Sequence, residues 1–281
     1  MNDYMRPATL DEALALLPGS GAGILAGGTD LFAATDRRRL PGRVLDLGGI
    51  AELRGVRAVA GGTIIGACTS WDEIARDDTL PPALRALRSA AREVGGWQVQ
   101  TRGTIAGNLC NASPAADGVP PLLVLDAEVM LRGPAGARQV ALGAFITGPR
   151  RTSRAPDEIV TGIFLPRSAL GGRSAFLKLG ARAHLVISIA MVAVRLEVAE
   201  GRIARAAVAV GACSAVARRL PAVEAALVGA TPSAAPGRVD RADVAAALEP
   251  IDDIRASGAY RAEAAGELVA RAVADALEQT P

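Results

Sequence analysis

Cysteine is scarce in this chain. There are three, Cys68, Cys110 and Cys213, far apart and without a C-x-x-C pair. That pattern excludes a disulfide framework. It equally excludes an iron–sulfur cluster or a structural zinc held by this chain alone. Lysine and histidine are scarcer still. Lys178 is the one Lys among 31 Lys and Arg residues, and His184 is the one His. With so few general bases near neutral pH, a Ser–His–Asp hydrolase or a multi-His metal site is a poor fit, and chemistry carried by a bound cofactor is a better one. No side chain stands out as catalytic, and no cluster as a metal site.

Long apolar runs are missing too. The longest, Leu185 to Val194, is ten residues including Ser188, against the ~18 of a spanning helix, so no membrane span is expected. Met1 to Thr9 has neither a basic n-region nor an apolar h-region, so no signal peptide is expected, and the default setting is cytoplasmic. Single-sign charge is absent: 31 basic against 29 acidic residues give a net +2, which speaks against a nucleic-acid binder. What the 281 residues do have is apolar content, 50%, enough for about two domains, and an excess of glycine, 31 residues.

Thr9 and Glu12 form a capping box that opens a helix over 10–17, closed by Pro18-Gly19. Met5-Arg6-Pro7, Ile24–Ala26, Val44–Leu47 and Ile64–Ala67 read as strands. A short helix is expected over Leu31–Ala34, capped by Thr29 or Asp30. Ser70 with Glu73 makes a second capping box, and a helix follows over 83–94. Gln139–Leu142 and Ile159–Phe164 read as strands, with 133–156 as loop-rich surface. From about Ser168 the texture changes. Strands at 174–179, 187–198 and 203–210 are followed by Ala-rich helices at 220–227, 242–248 and 257–277, an α+β arrangement. Glu200-Gly201 supplies a hairpin turn. The domain boundary is placed at Leu170-Gly171-Gly172.

Three glycine motifs are candidates for binding. Gly21-Ala-Gly23-Ile-Leu-Ala26 fits G-x-G-x-x-A, but it follows a helix and opens a strand, the reverse of the dinucleotide fingerprint. In Leu25-Ala26-Gly27-Gly28-Thr29-Asp30-Leu31 a strand runs into two glycines. Without Cβ atoms, backbone N–H groups can approach an anion closely. Taken alone, the motif is either a pyrophosphate cradle or an ordinary turn. Between Thr101 and Asp117, two Gly, two Thr, two Asn, a Ser and an Asp fall beside apolar Ile105, Leu109 and Val119, which suits a loop that hydrogen-bonds a polar ligand.

Together and in order, these motifs resemble the FAD-binding (medium) subunit of the molybdenum hydroxylases, the xanthine dehydrogenase and aerobic carbon-monoxide dehydrogenase family. The resemblance rests on Ala26-Gly27-Gly28-Thr29-Asp30-Leu31, on Thr104-Ile-Ala-Gly107-Asn108 with Ala112-Ser113-Pro114 and Asp117, and on Val124–Ala127, similar to a strand of that family. It continues through Asp157–Pro166, Ala175–Lys178 with Arg182, and Asp252–Ser257 with Tyr260-Arg261. It spans nearly the whole chain.

The resemblance implies an α+β fold: a two-subdomain FAD-binding domain of the vanillyl-alcohol-oxidase type over 1–170 (subdomains about 1–55 and 56–170), then a smaller α+β domain over 171–281 with a three-stranded sheet and helices. It implies FAD contacts by Leu25, Ala26, Gly27, Gly28, Thr29, Asp30 and Leu31 at the pyrophosphate. Thr104, Ala106, Gly107 and Asn108 would form a second phosphate and ribityl wall, with Asp117 toward the adenosine side. The Val160 backbone and Lys178 would lie near the ring. Partners are also implied: a small subunit with 2Fe–2S clusters and a large molybdopterin subunit, in a dimer of heterotrimers, with electrons passing from the clusters through FAD to NAD, oxygen or a quinone-linked carrier. Two departures from the family pattern are Ala106, where Gly is usual, and Ala183-His184-Leu185, where an acidic residue is usual. Alternatives are a stand-alone flavin oxidase, which would need a His or Cys tether, and a non-catalytic nucleotide-binding module. Cys110 and His184 read as structural, Trp97 as core, and Arg37-Arg38-Arg39 as a solvated charge run.

Overall fold

A computed structural model describes residues 4–36, 40, 42–183 and 185–278. Arg37-Arg38-Arg39 and His184 fall outside the described residues. The first unit holds β1 (Tyr4–Met5), α1 (Leu10–Leu16), β2 (Gly23–Leu25) and β3 (Val44–Asp46), with the strands in one parallel sheet of order β1-β3-β2. The Thr9 side chain accepts from Glu12 N–H at 3.2 Å, while Glu12 reaches back to Ala8 N–H rather than to Thr9. Leu10, Ala13 and Leu17 of the helix pack on Leu45 and Leu47.

The second unit opens with a hairpin, β4 (Val56–Val59) and β5 (Gly62–Gly66). Five short helices follow: α2 (Trp71–Arg76), α3 (Arg85–Glu93), α4 (Trp97–Gln100), α5 (Ile105–Asn111) and α6 (Val119–Val124). Then come β6 (Glu128–Gly133), β7 (Gly136–Ala141), α7 (Leu142–Phe145), the small pair β8 (Ile146–Gly148) and β9 (Arg151–Thr152), and β10 (Ile159–Pro166). The large sheet is antiparallel in the order β4-β5-β10-β6-β7. At α2 the capping box is complete in both directions, Glu73 N–H to Ser70 and Ser70 N–H to Glu73.

The third unit is an antiparallel sheet of β11 (Arg173–Leu179), β12 (Ala190–Ala199), β13 (Arg202–Gly211) and β14 (Arg218–Arg219), with α8 (Pro221–Leu227), α9 (Arg241–Ala246) and α10 (Gly258–Glu278). Glu200 and Gly201 have φ of +51° and +71°, the left-handed pair a tight hairpin requires. Successive residues along a strand point to opposite faces. Val192, Val194, Val208 and Val210 therefore face Val269 and Val273 of α10. Met191, Ala193, Ala207 and Ala209 face the core of the second unit. Both faces are covered, which is why these strands read as apolar runs. Each buried valine contributes roughly 1.5–3 kcal/mol. Two arginines lock the contact. Arg195 Nε donates to Val124 O at 2.8 Å and Arg219 Nη1 to Leu123 O at 3.0 Å, satisfying carbonyls at the end of α6. No helix of the described residues is long and apolar enough to cross a membrane.

Several local expectations are corrected. Leu31–Ala34 is a turn, with Phe32 N–H to Gly28 O and Ala34 N–H to Asp30 O. Leu31 and Phe32 are exposed, so no packing offsets the cost of nucleating a helix there. Val124–Ala127 is the end of α6 and a turn with Asp126 at φ +48°, not a strand. Pro120 and Pro121 sit in the first turn of that helix, where a missing N–H costs nothing. In the 133–156 segment β7 covers most of the expected Gln139–Leu142 strand, and α7, β8 and β9 stand where loop-rich surface was expected. The C-terminal sheet has four strands, not three, because two-residue β14 pairs with β13.

Candidate functional site

The Leu25–Leu31 loop lies against the segment before α5. A Cβ built on Gly27 would fall 1.9 Å from Arg102 O and 2.9 Å from Gly103 Cα. Only a glycine permits two backbones to approach so closely. Gly28 has φ +76°, and its Cβ would meet the Phe32 ring at 2.7 Å. A side chain here strains the turn itself, not only the approach of a phosphate.

Between the two segments is a cavity of about 420 Å³. Leu25, Ala26, Gly27, Gly28, Thr29, Asp30, Leu31, Thr104, Ala106, Gly107, Asn108 and Val160 all line it. The floor is apolar, with Ile24, Leu47, Ala67, Val94, Val99 and the buried Trp71. A few polar groups over an apolar floor is the usual make-up of a cofactor pocket.

The two segments offer different chemistry. Backbone N–H groups of Gly27, Gly28, Thr29, Asp30 and Leu31 donate to no protein acceptor among the described residues. Successive free N–H groups in a turn form a concave donor surface suited to an anion. At the α5 end, expected to form a second phosphate and ribityl wall, the backbone donors from Ile105 to Asn108 are already used. Ile105 N–H is taken by Thr69 O at 3.0 Å, Ala106 N–H by Ala67 O at 3.1 Å and Asn108 N–H by Thr104 O at 3.0 Å. Gly107 N–H goes to the capping Thr104 hydroxyl at 3.1 Å. Thr104, Ala106, Gly107 and Asn108 therefore line the cavity without a free N–H from Ala106 to Asn108. Asn108 Oδ1 is buried without a partner among the described residues, packed beside Gly118 rather than exposed to the cavity.

Asp117 and Lys178 are brought together, but not into the cavity lining. Lys178 Nζ lies 2.7 Å from Asp117 Oδ2 and donates to Glu93 O at 3.0 Å, and the Ser188 hydroxyl donates to Asp117 Oδ1 at 2.6 Å. Burial pushes the Asp117 carboxyl above the ordinary carboxylate range, with Lys178 and Ser188 opposing that rise. The ion pair joins the end of α3, β11 and the segment before β12. Trp97, expected in the core, is 62% exposed. Cys110 lines the cavity. The Asp252-to-Arg261 signature is structural: Asp252 accepts from Gly258 N–H at the start of α10, and buried Arg261 ties Asp253 to the carbonyls of Ile189 and Ala212.

Sequence reasoning passed over Arg150 and Arg154 and did not single out Asn111, yet all three line the cavity. Asn111 stood inside the polar stretch before Asp117, so density of small polar residues was a usable signal for it. For Arg150 and Arg154, in an Arg-rich segment read as loop surface, there was none.

Fold and cavity together define an α+β protein of three packed units with a cavity lined by unpartnered backbone donors. Comparison with known proteins narrows this. The family described as the FAD binding domain in molybdopterin dehydrogenase matches residues 1–168, and the CO dehydrogenase flavoprotein C-terminal domain matches 175–276. The chain is 37% identical over 194 residues to the nicotinate dehydrogenase FAD-subunit of Eubacterium barkeri, a stretch that covers 66% of each chain, just under two thirds of that relative. It is 30% identical to the carbon monoxide dehydrogenase medium chain of Hydrogenophaga pseudoflava, over 96% of this chain and 95% of that one. A reconstituted CO dehydrogenase from Oligotropha carboxidovorans superposes with a TM-score of 0.91 at 30% identity, covering 99% of this chain and 98% of that chain. The chain belongs to the FAD-binding, medium-subunit family of the molybdenum hydroxylases.

Proposed function

We propose that this chain is the FAD-holding electron-transfer subunit of a molybdenum-containing hydroxylase. It receives electrons from 2Fe–2S clusters on a small partner subunit and passes them to NAD, oxygen or a quinone-linked acceptor. A large molybdopterin subunit oxidises the substrate, and the assembly is a cytoplasmic dimer of heterotrimers. The domains divide as 1–170 and 171–281. Bound FAD supplies a centre that exchanges electrons singly or in pairs.

The observation that carries this reading is the run of free N–H groups from Gly27 to Leu31, on residues that all line the cavity between this loop and the α5 segment. The residues of the chain bind and orient. Gly27 to Leu31 hold the diphosphate by backbone donors, a role that needs no lysine. Thr104, Ala106, Gly107, Asn108 and Val160 wall the cavity. Leu25 and Ala26 line it at the start of the loop, and Ile24, Leu47 and Trp71 exclude water from its floor. Asp117 and Lys178 act as positioning residues, fixing the third unit against the second, rather than as cavity-lining ligands. The test is reconstitution. Full-length chain stripped of flavin should quench FAD fluorescence on mixing and release intact FAD on denaturation. Folded chain that takes up no FAD sinks the proposal.

A further inference from the structure

Arg150 stands in the β8–β9 turn with φ +59°, and Ala112, just beyond α5, has φ +46°. Two non-glycine residues in the left-handed region are held to each other, with Arg150 N–H donating to Ala112 O at 2.9 Å. Left-handed backbone costs such residues about 1–2 kcal/mol each. The strained pair aims the Arg150 side chain at the cavity it lines. Its Nη1 donates to Asn111 Oδ1, Asn111 Nδ2 donates to Asp30 Oδ1 at 2.8 Å, and Arg150 Nη1 lies 4.0 Å from Asp30 Oδ1. This chain of contacts joins the glycine loop, α5 and the β8–β9 turn around one opening.

The two cavity-lining arginines differ. Arg154 Nη1 is occupied by the carbonyls of Ala155, Pro156 and Glu158. Arg150 makes one side-chain hydrogen bond among the described residues, to Asn111, and leaves most of its five donors free. Asp30 sits in the same cavity-lining glycine loop whose N–H groups have no protein acceptor among the described residues, so an entering dianion meets a carboxylate there. Arg150 beside it offsets that repulsion.

On the FAD reading above, on which this inference rests, we propose that Arg150 is a further binding residue that pairs with the diphosphate of the dinucleotide at the mouth of the cavity. A guanidinium suits a diphosphate because its fork can donate to two oxygens at once.

The test uses flavin-free full-length chain. Arg150→Gly removes the side chain while suiting the left-handed backbone, so the flavin-free melting temperature should not fall. The Kd for FAD should rise by about tenfold, the low end for a charge-assisted hydrogen bond, and its salt dependence should become shallower. As competitors of FAD, ADP should lose potency by a similar factor and adenosine should lose none. Arg150→Lys should recover part of the loss. An FAD Kd within twofold of parent, or equal losses for ADP and adenosine, overturns the role of Arg150 while the FAD reading stands. A parent chain that takes up no FAD overturns both.

Discussion

Replacing Lys178 by Met tests the buried pair that joins the third unit to the second. Lys178 and Asp117 side chains are only 5% and 9% exposed, so solvent does not screen them. Removing the ammonium leaves a buried carboxylate with Ser188 as its one remaining side-chain donor. Breaking one partner of such a pair costs about 3–5 kcal/mol, on the order of 10 °C in Tm for a chain of this size. The pH dependence carries the sign. Burial already holds the Asp117 carboxyl above its unfolded value, and loss of Lys178 raises it further. A raised carboxyl pKa means the folded state binds the extra proton, so stability is fully present below the unfolded pKa and is lost as pH rises through the folded one. The deficit of Lys178→Met should therefore be largest at high pH and shrink as pH falls toward the ordinary carboxylate range. Urea unfolding of parent, Lys178→Met and the Lys178→Met/Asp117→Asn double variant, from about pH 5 to 8, measures this. The double variant should recover part of the loss at neutral pH. A deficit under about 0.5 kcal/mol at neutral pH, or one that grows on acidification, would refute the reasoning.

Gly27→Ala places a methyl 1.9 Å from Arg102 O. It should push the two loops apart, destabilise by about 1–3 kcal/mol and abolish FAD quenching, read by fluorescence titration beside a melting curve. Arg195→Met strips the donor from Val124 O and the partner from Glu197; a loss of about 2–4 kcal/mol is expected in urea unfolding. Glu200→Asn relaxes the residue at φ +51° in the β12–β13 turn and should stabilise by about 0.5–1 kcal/mol, seen as a raised Tm.

Several of the elements read correctly have a local cause. The Ser70–Glu73 box sits within one turn of chain, and the Glu200-Gly201 turn needs only two permissive residues. The misread elements lacked such a cause. Val124–Ala127, likened to a strand of the family, is the end of α6 and a turn, because Val119–Leu125 is apolar throughout and has no period to separate helix from strand. Leu31–Ala34 has a capping signal but nothing to pack upon. Strand β14 is two residues long and exists because β13 presents an edge.

The candidate site divides the same way. Which residues could serve a diphosphate was set by the chain alone: the glycines at 27 and 28 supply backbone freedom that no folded context can add, and one Lys and one His limit what chemistry the chain can perform. Which groups are available was decided by tertiary structure. The α5 donors are consumed by the carbonyls of Ala67 and Thr69, brought alongside from β5 and the approach to α2. Asp117 is turned from the cavity by Lys178, 61 positions away, and Arg150 reaches the opening through Asn111, 39 positions away. A hydrogen bond depends on distance and direction in space, and residues so far apart in sequence acquire both only when the chain has folded.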